Sequence, residues 1–323
     1  MLKLSILIAA GDEALFETTL ASVLQNRPAD CEIVVVCDEG YSDPYSLAGE
    51  VRFLSAPADY DELARLNRGL SDCRASIVHI LRCGTEVTEG WTAVATAHFA
   101  DPHVASVAPL LVAQDGKHVA AAGVDYHRGG KRLVRECQAT VDSLGDAPTP
   151  ILGPTLAAAF YRLSALRTQK EVFCAAVGCE LADVDLALRL ARGGQRGVFD
   201  PRSRVVAGPA IKRGNPLAAA WLAERLFWRH AGGVGRLGAL LSHGRLIAAE
   251  TAMSMVRPLH AGRIIGRAAG IVERLMSGAP ATRKHSAGLQ PPSRPAGSRL
   301  RVDQPANGPG PKRKSRQEAP RAA

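Results

Sequence analysis

Leu4-Ser5-Ile6-Leu7-Ile8-Ala9-Ala10 is an unbroken apolar run of strand length. Residues 14–25 behind it repeat apolar positions at helical spacing through Leu15, Thr19, Val23 and Leu24, so the chain opens strand, loop, helix. Working outward, residues 32–37 (EIVVVC) form a second short run, ended by the turn-rich Asp38-Glu39-Gly40-Tyr41-Ser42-Asp43-Pro44. Residues 51–54 add an edge-like strand, residues 61–73 a helix, and residues 76–81 (SIVHIL) a fourth strand that stops at Arg82-Cys83-Gly84. Strands that are apolar throughout and alternate with helices imply a parallel sheet covered on both faces. In such sheets ligands sit at the carboxyl ends of the strands, so the loops after Ala10, Cys37 and Leu81 are the expected site. No GxGxxG follows the first strand, which argues against a dinucleotide oxidoreductase.

The second half predicts β-structure over residues 104–112 and 118–126, a proline-bearing loop, a helix from about Leu156, and a helix over residues 182–192 closed by Gly193-Gly194. Short strands are expected at residues 197–199 and 204–206, then helices rich in Ala, Leu and Arg.

Composition is globular: 46% hydrophobic and 22% charged. Of the net charge of +9, +8 lies in residues 281–323, which hold ten basic and two acidic residues and seven prolines. That tail has too little apolar area to order itself and is read as a disordered basic extension, its run Lys312-Arg313-Lys314-Ser315-Arg316 implying no specific nucleic acid. Seven cysteines without a CxxC pair point to reduced thiols, and nine histidines lack metal spacing with them. No run reaches the roughly 18 apolar residues of a spanning helix. The first ten residues read as a strand, so the expected location is the cytoplasm, with peripheral contact to the inner membrane face through basic helices bearing Arg236, Arg245, Arg257, Arg263, Arg267 and Arg274.

The order of motifs resembles the family 2 glycosyltransferases over about residues 3–230. The family's first loop and helix end match Ile8-Ala9-Ala10-Gly11-Asp12-Glu13 and Ala21-Ser22-Val23-Leu24-Gln25; its acidic turn resembles Asp38-Glu39-Gly40-Tyr41-Ser42-Asp43. Its Asn-x-Gly-Leu resembles Asn67-Arg68-Gly69-Leu70, and Thr85-Glu86-Val87-Thr88-Glu89-Gly90-Trp91 is similar to the text after its metal motif. Farther on, Ala158 to Arg162 resembles the acceptor-side segment, and Leu181-Ala182-Asp183-Val184-Asp185-Leu186-Ala187-Leu188-Arg189-Leu190 the family's Glu-Asp-x-Asp-Leu-x-x-Arg-Leu helix.

The resemblance implies an α/β GT-A (Rossmann-like) fold: a mixed, mostly parallel sheet with helices on both faces, plus C-terminal helices. It divides the chain into a transferase-like domain (1–215), basic amphipathic helices (216–280) and the tail (281–323). It implies a nucleotide-sugar donor held by Ala9, Ala10, Asp38, Asn67 and Arg82, a glycan or lipid-linked acceptor, and Asp183 as the general base of an inverting transfer, with Asp185 as a helix-start or structural residue. Mg2+ or Mn2+ belongs to the family's Leu-Asp-x-Asp, but Leu81-Arg82-Cys83-Gly84 stands there and offers no carboxylate, so no metal ligand is assigned. Arg82 is the candidate fixed cation in its stead. Gly11, Arg82 with Gly84, Ala182 and Ala207 all depart from the family pattern. An active transferase and a catalytically silent scaffold of the same fold therefore both stay open.

Overall fold

The first strand, β1 (Leu4–Ala9), pairs in parallel on one side with β2 (Cys31–Asp38) and on the other with β4 (Ile77–Arg82); β3 (Val51–Ala56) extends the sheet beyond β2. The structure is a computed structural model describing residues 2–209, 215–232, 236–256 and 261–277, all within one compact unit, Met1–Pro291. The tail at 281–323 and Arg257 lie outside the described residues.

Alternate side chains of these strands serve opposite faces, as the period of a strand requires. Ile6, Ile8, Ile33 and Val35 meet Phe16, Leu20 and Val23 of α1 (Glu13–Gln25) and Trp91 and Ala95 of α3 (Trp91–Ala97). Leu7, Ala9, Val34 and Val36 meet Leu63, Leu66 and Leu70 of α2 (Glu62–Asp72). The α2 backbone comes so close that a Cβ on Gly69 would lie 2.3 Å from Leu7 Cδ1, which is why glycine stands between Arg68 and Leu70.

Beyond β4 the sheet turns mixed. After β5 (Glu86–Val87), β6 (Val104–Val112), β7 (Val119–Ala121), β8 (Val124–His127), β9 (Lys131–Val134) and β10 (Thr149–Ile151), the chain returns as β11 (Ala158–Arg162), antiparallel between β4 and β6. The short α4 (Leu163–Arg167), α5 (Ala182–Arg192) and β12 (Arg196–Val206) follow, β12 running parallel to β6. The order across the main sheet is β10-β12-β6-β11-β4-β1-β2-β3, while β8 and β9 form a separate hairpin.

Three predicted elements are corrected. The helix expected from Leu156 is the strand β11 followed by α4. A wholly buried run such as Ala158–Tyr161 carries no period that separates strand from helix. Residues 118–126 are two strands of different sheets, separated at Gly123 with φ +94°. The two strands expected at 197–199 and 204–206 are one, β12, with a register shift between Asp200 and Arg204.

The C-terminal helices are α6 (Pro216–His230), α7 (Arg236–Val256) and α8 (Ala261–Ser277). Leu226 of α6 joins the cluster of Val124, Val177, Leu181 and Val184, seating α6 on α5 and the hairpin. Glu224 of α6 is fully buried and accepts from Trp228 Nε1 (2.8 Å), His243 Nε2 of α7 (2.8 Å) and Arg267 of α8 (3.0 Å). Arg267 also binds Glu250, so it lies in the helix seam and not on the basic face expected of it.

Candidate functional site

The loops after β1, β2 and β4 open at one edge of the sheet, where α2 supplies two side chains that sequence motifs did not single out. Asp61 caps α2, its carboxylate accepting from the Ala64 N–H at 2.8 Å, and this fixes the first turn. From that turn Arg65 reaches both neighbouring loops: it donates to the Ala10 carbonyl, to the Asp38 carboxylate and, through Nε at 3.1 Å, to the Tyr60 carbonyl. Asp38 is half exposed, while Ala9 is buried in β1 and its carbonyl accepts from Cys83 Sγ at 3.1 Å.

Arg82, at the end of β4, meets Glu62 of α2 in an ion pair, each side chain partly exposed. Cys179 closes the group, its Sγ 3.1 Å from the Glu62 carboxylate and 3.6 Å from Arg82. Burial, with the Glu62 charge adding, pushes the Cys179 thiol up to about 12, and burial likewise pushes Cys83 up to about 11 and Cys37 up to about 12. These sulfurs are protonated donors at neutral pH and poor nucleophiles.

Asp183 lies on the first turn of α5, whose Ala182, Leu186 and Leu190 share one buried cluster with Leu63, Leu66 and Leu70 of α2. It is 1% exposed, and both its oxygens are held by Arg132 of β9 in a fork: Nε to Oδ1 at 3.1 Å and Nη2 to Oδ2 at 2.7 Å. The Val184 N–H adds a third bond to Oδ1 at 2.8 Å. Beside it, burial with the Asp183 charge adding raises the Tyr161 phenol, whose buried oxygen has no hydrogen-bond partner among the described residues.

Two residues of the predicted motifs serve the architecture. Asn67 does not present its amide to the loops: Nδ2 donates to the Phe173 carbonyl at 2.7 Å and Oδ1 accepts the Phe173 N–H at 3.0 Å, which clamps α2 to the segment before α5. Asp185, expected as a helix-start or structural residue, takes the structural role. Wholly buried, it accepts from Arg189 at 3.0 Å and His230 at 2.8 Å and forms an ion pair with Arg229 at 3.0 Å, tying α5 to α6. Burial acts to raise its carboxyl, but the His230 hydrogen bond and the two arginine charges outweigh it and hold it below its ordinary value.

No protein-family model matches the chain, and no curated protein matches it in sequence. Solved structures do. The crystal structure of GalNAc-T7 with UDP, GalNAc and Mn2+ superposes with a TM-score of 0.53 at 14% identity, covering 70% of this chain and 47% of that one. The chain has the GT-A fold. It spans just under half the length of the GalNAc-T7 chain. A Pyrobaculum calidifontis mannosyltransferase in complex with GDP-Man and Mn2+ (TM-score 0.48, 17% identity, 86% of this chain and 88% of that one) and S. aureus TarS (TM-score 0.49, 13% identity, 74% and 41%) align more loosely.

The residues at the end of β4 do not fit the divalent cation that the family resemblance implies. A Mg2+ or Mn2+ ion takes hard oxygen ligands, and here a guanidinium stands at that place with Glu62 already bound to it. Among the described residues no group of three or more His, Cys, Asp or Glu could hold a metal ion.

Proposed function

We propose that the chain is a glycosyltransferase-like protein of the family 2 type that takes a nucleotide-sugar at the carboxyl ends of β1, β2 and β4 without a divalent cation. The observation that carries this reading is the pair of guanidiniums, Arg65 and Arg82, at the mouth of those loops, each matched to a carboxylate that solvent and ligand can reach. An arginine fork suits phosphate oxygens, and a diphosphate can take the place of Glu62 on Arg82 while Asp38 turns from Arg65 to a nucleobase N–H. In the transfer itself an acceptor hydroxyl of a glycan or lipid-linked substrate would attack the sugar carbon. The bond to the diphosphate oxygen breaks, the nucleoside diphosphate leaves, and Asp183 takes the hydroxyl proton, with inversion.

That last step requires Arg132 to release Asp183. The fork between them supports a second reading, a scaffold that keeps the fold and binds without turning over.

Titration calorimetry of the full chain with UDP-, GDP- and dTDP-sugars, each with and without Mn2+, tests both readings. Binding that ignores Mn2+ and weakens at least tenfold in Arg82→Ala supports a cation-free donor site; binding that needs Mn2+ overturns it. If no donor binds, the nucleotide-sugar reading falls. Turnover that is present in the parent and abolished in Asp183→Asn selects the enzyme over the scaffold.

A further inference from the structure

One surface of the molecule is spent on none of this. Along α8, Ile265, Ala268, Ala269, Val272, Leu275 and Met276 are exposed and recur at the three- and four-residue spacing that places them on one helix face. The large side chains are well out in solvent: Ile265 58%, Val272 52%, Leu275 77% and Met276 83%. The opposite side is committed. A Cβ on Gly266 would lie 2.1 Å from the Leu217 carbonyl oxygen and one on Gly270 2.6 Å from Glu224 Cβ, so α8 presses its glycines against α6, while Arg267 enters the ion-pair seam. The rotation of α8 is thereby fixed, and the apolar stripe faces outward.

We infer that this stripe is the seat of an anionic lipid bilayer surface, with the chain lying on the membrane through α8. The inference does not depend on the nucleotide-sugar reading. Three features select lipid over a second copy of the chain. The stripe holds no acidic residue: Glu273, the sole carboxylate of α8, is turned aside to Trp221 Nε1 (2.8 Å) and Arg225. The sequence that continues from the end of α8 carries +8 over residues 281–323. Two copies joined through α8 would bring two such segments together and repel, whereas anionic headgroups attract them. Finally, α8 is only about 25 Å long, which offers one helix face where a stable dimer usually buries about 800 Å2 per partner. A modest apolar face joined to a polybasic segment is the two-signal arrangement that gives reversible surface binding.

The full-length protein is sedimented with vesicles of phosphatidylcholine alone and of phosphatidylcholine with phosphatidylglycerol. Retention on the anionic vesicles, at least tenfold tighter than on the neutral ones and weakened by salt, is the expected result. Val272→Glu with Met276→Glu should lower it at least tenfold without shifting thermal unfolding, since both side chains are exposed. Charge reversal at Lys312, Arg313, Lys314 and Arg316 should erase the preference for anionic lipid. No retention of the parent, equal retention of the α8 double variant, or an unchanged lipid preference after the charge reversal would each overturn the proposal. So would a parent that sediments as a dimer and an α8 variant that is monomeric with unaltered vesicle binding, because the face would then belong to a second copy.

Discussion

The loop edge of the sheet and the seam between α5, α6, α7 and α8 are both built from arginine and carboxylate, yet they use them in opposite ways. At the loops each carboxylate meets a single guanidinium in reach of water: Asp38 with Arg65, Glu62 with Arg82. In the seam Glu224 and Asp185 are wholly buried and each meets three side-chain partners from two or more elements. A water-exposed pair is worth little to stability and exchanges readily for a ligand, whereas a buried carboxylate stripped of a partner is left uncompensated. In the function proposed here the same chemistry serves recognition in one place and architecture in the other. Asp183 sits between the two, buried like the seam but held by a single side chain, Arg132, beside the Val184 N–H.

The contrast can be broken at four points. Arg267→Ala should cost about 3–5 kcal/mol in urea unfolding, because it strips the buried Glu224 of its guanidinium partner; a loss under 1 kcal/mol would place the seam with the surface pairs. Arg132→Ala should cost roughly 2–3 kcal/mol, less because Arg132 is itself partly exposed. Acid offers a third test. His79 is fully buried, stacked on Phe160 at 3.6 Å, and burial, opposed by the Ala159 carbonyl, lowers it from 6.5 to about 3. The unfolded chain therefore takes a proton that the fold refuses below pH 6.5, so this contribution is complete above that pH and is lost as pH falls toward the folded value. Its slope is about 1.4 kcal/mol per pH unit. His79→Leu should remove one such increment between pH 6.5 and 5, measured as the change in urea midpoint. The smallest effect is expected at the loops, where Arg82→Ala should move stability by less than about 1 kcal/mol while changing donor binding.

The parallel first half was legible in the sequence because β1, β2 and β4 are apolar runs bounded by turn residues and helix patterns. The return of the chain was not, since β11 is buried on both faces and its apolar residues show neither period. The loops that carry the candidate site follow from the same runs, since they are the strand ends. What the motifs missed came from partners: Glu62, Arg65, Arg132 and Cys179 belong to no motif and matter through what they touch. One signal was available. Arg65 is a cation near the amino end of a helix, where the dipole favours anions, and a residue placed against that preference has another reason to be there. Asn67 misled because its spacing matches a family motif while its amide serves the Phe173 backbone, a contact 106 residues away in sequence.

The insertion of β11 between β4 and β6 also sets an order of events as the chain is made. Ile77–Arg82 has its first neighbour, β1, already synthesised, but its other edge stays open until Ala158–Arg162 emerges. At about 5–20 residues per second, an apolar strand edge waits for several seconds before its partner exists. During that interval the nascent chain carries a template for pairing with other chains, a hazard set by the order of the strands and not by the stability of the finished fold.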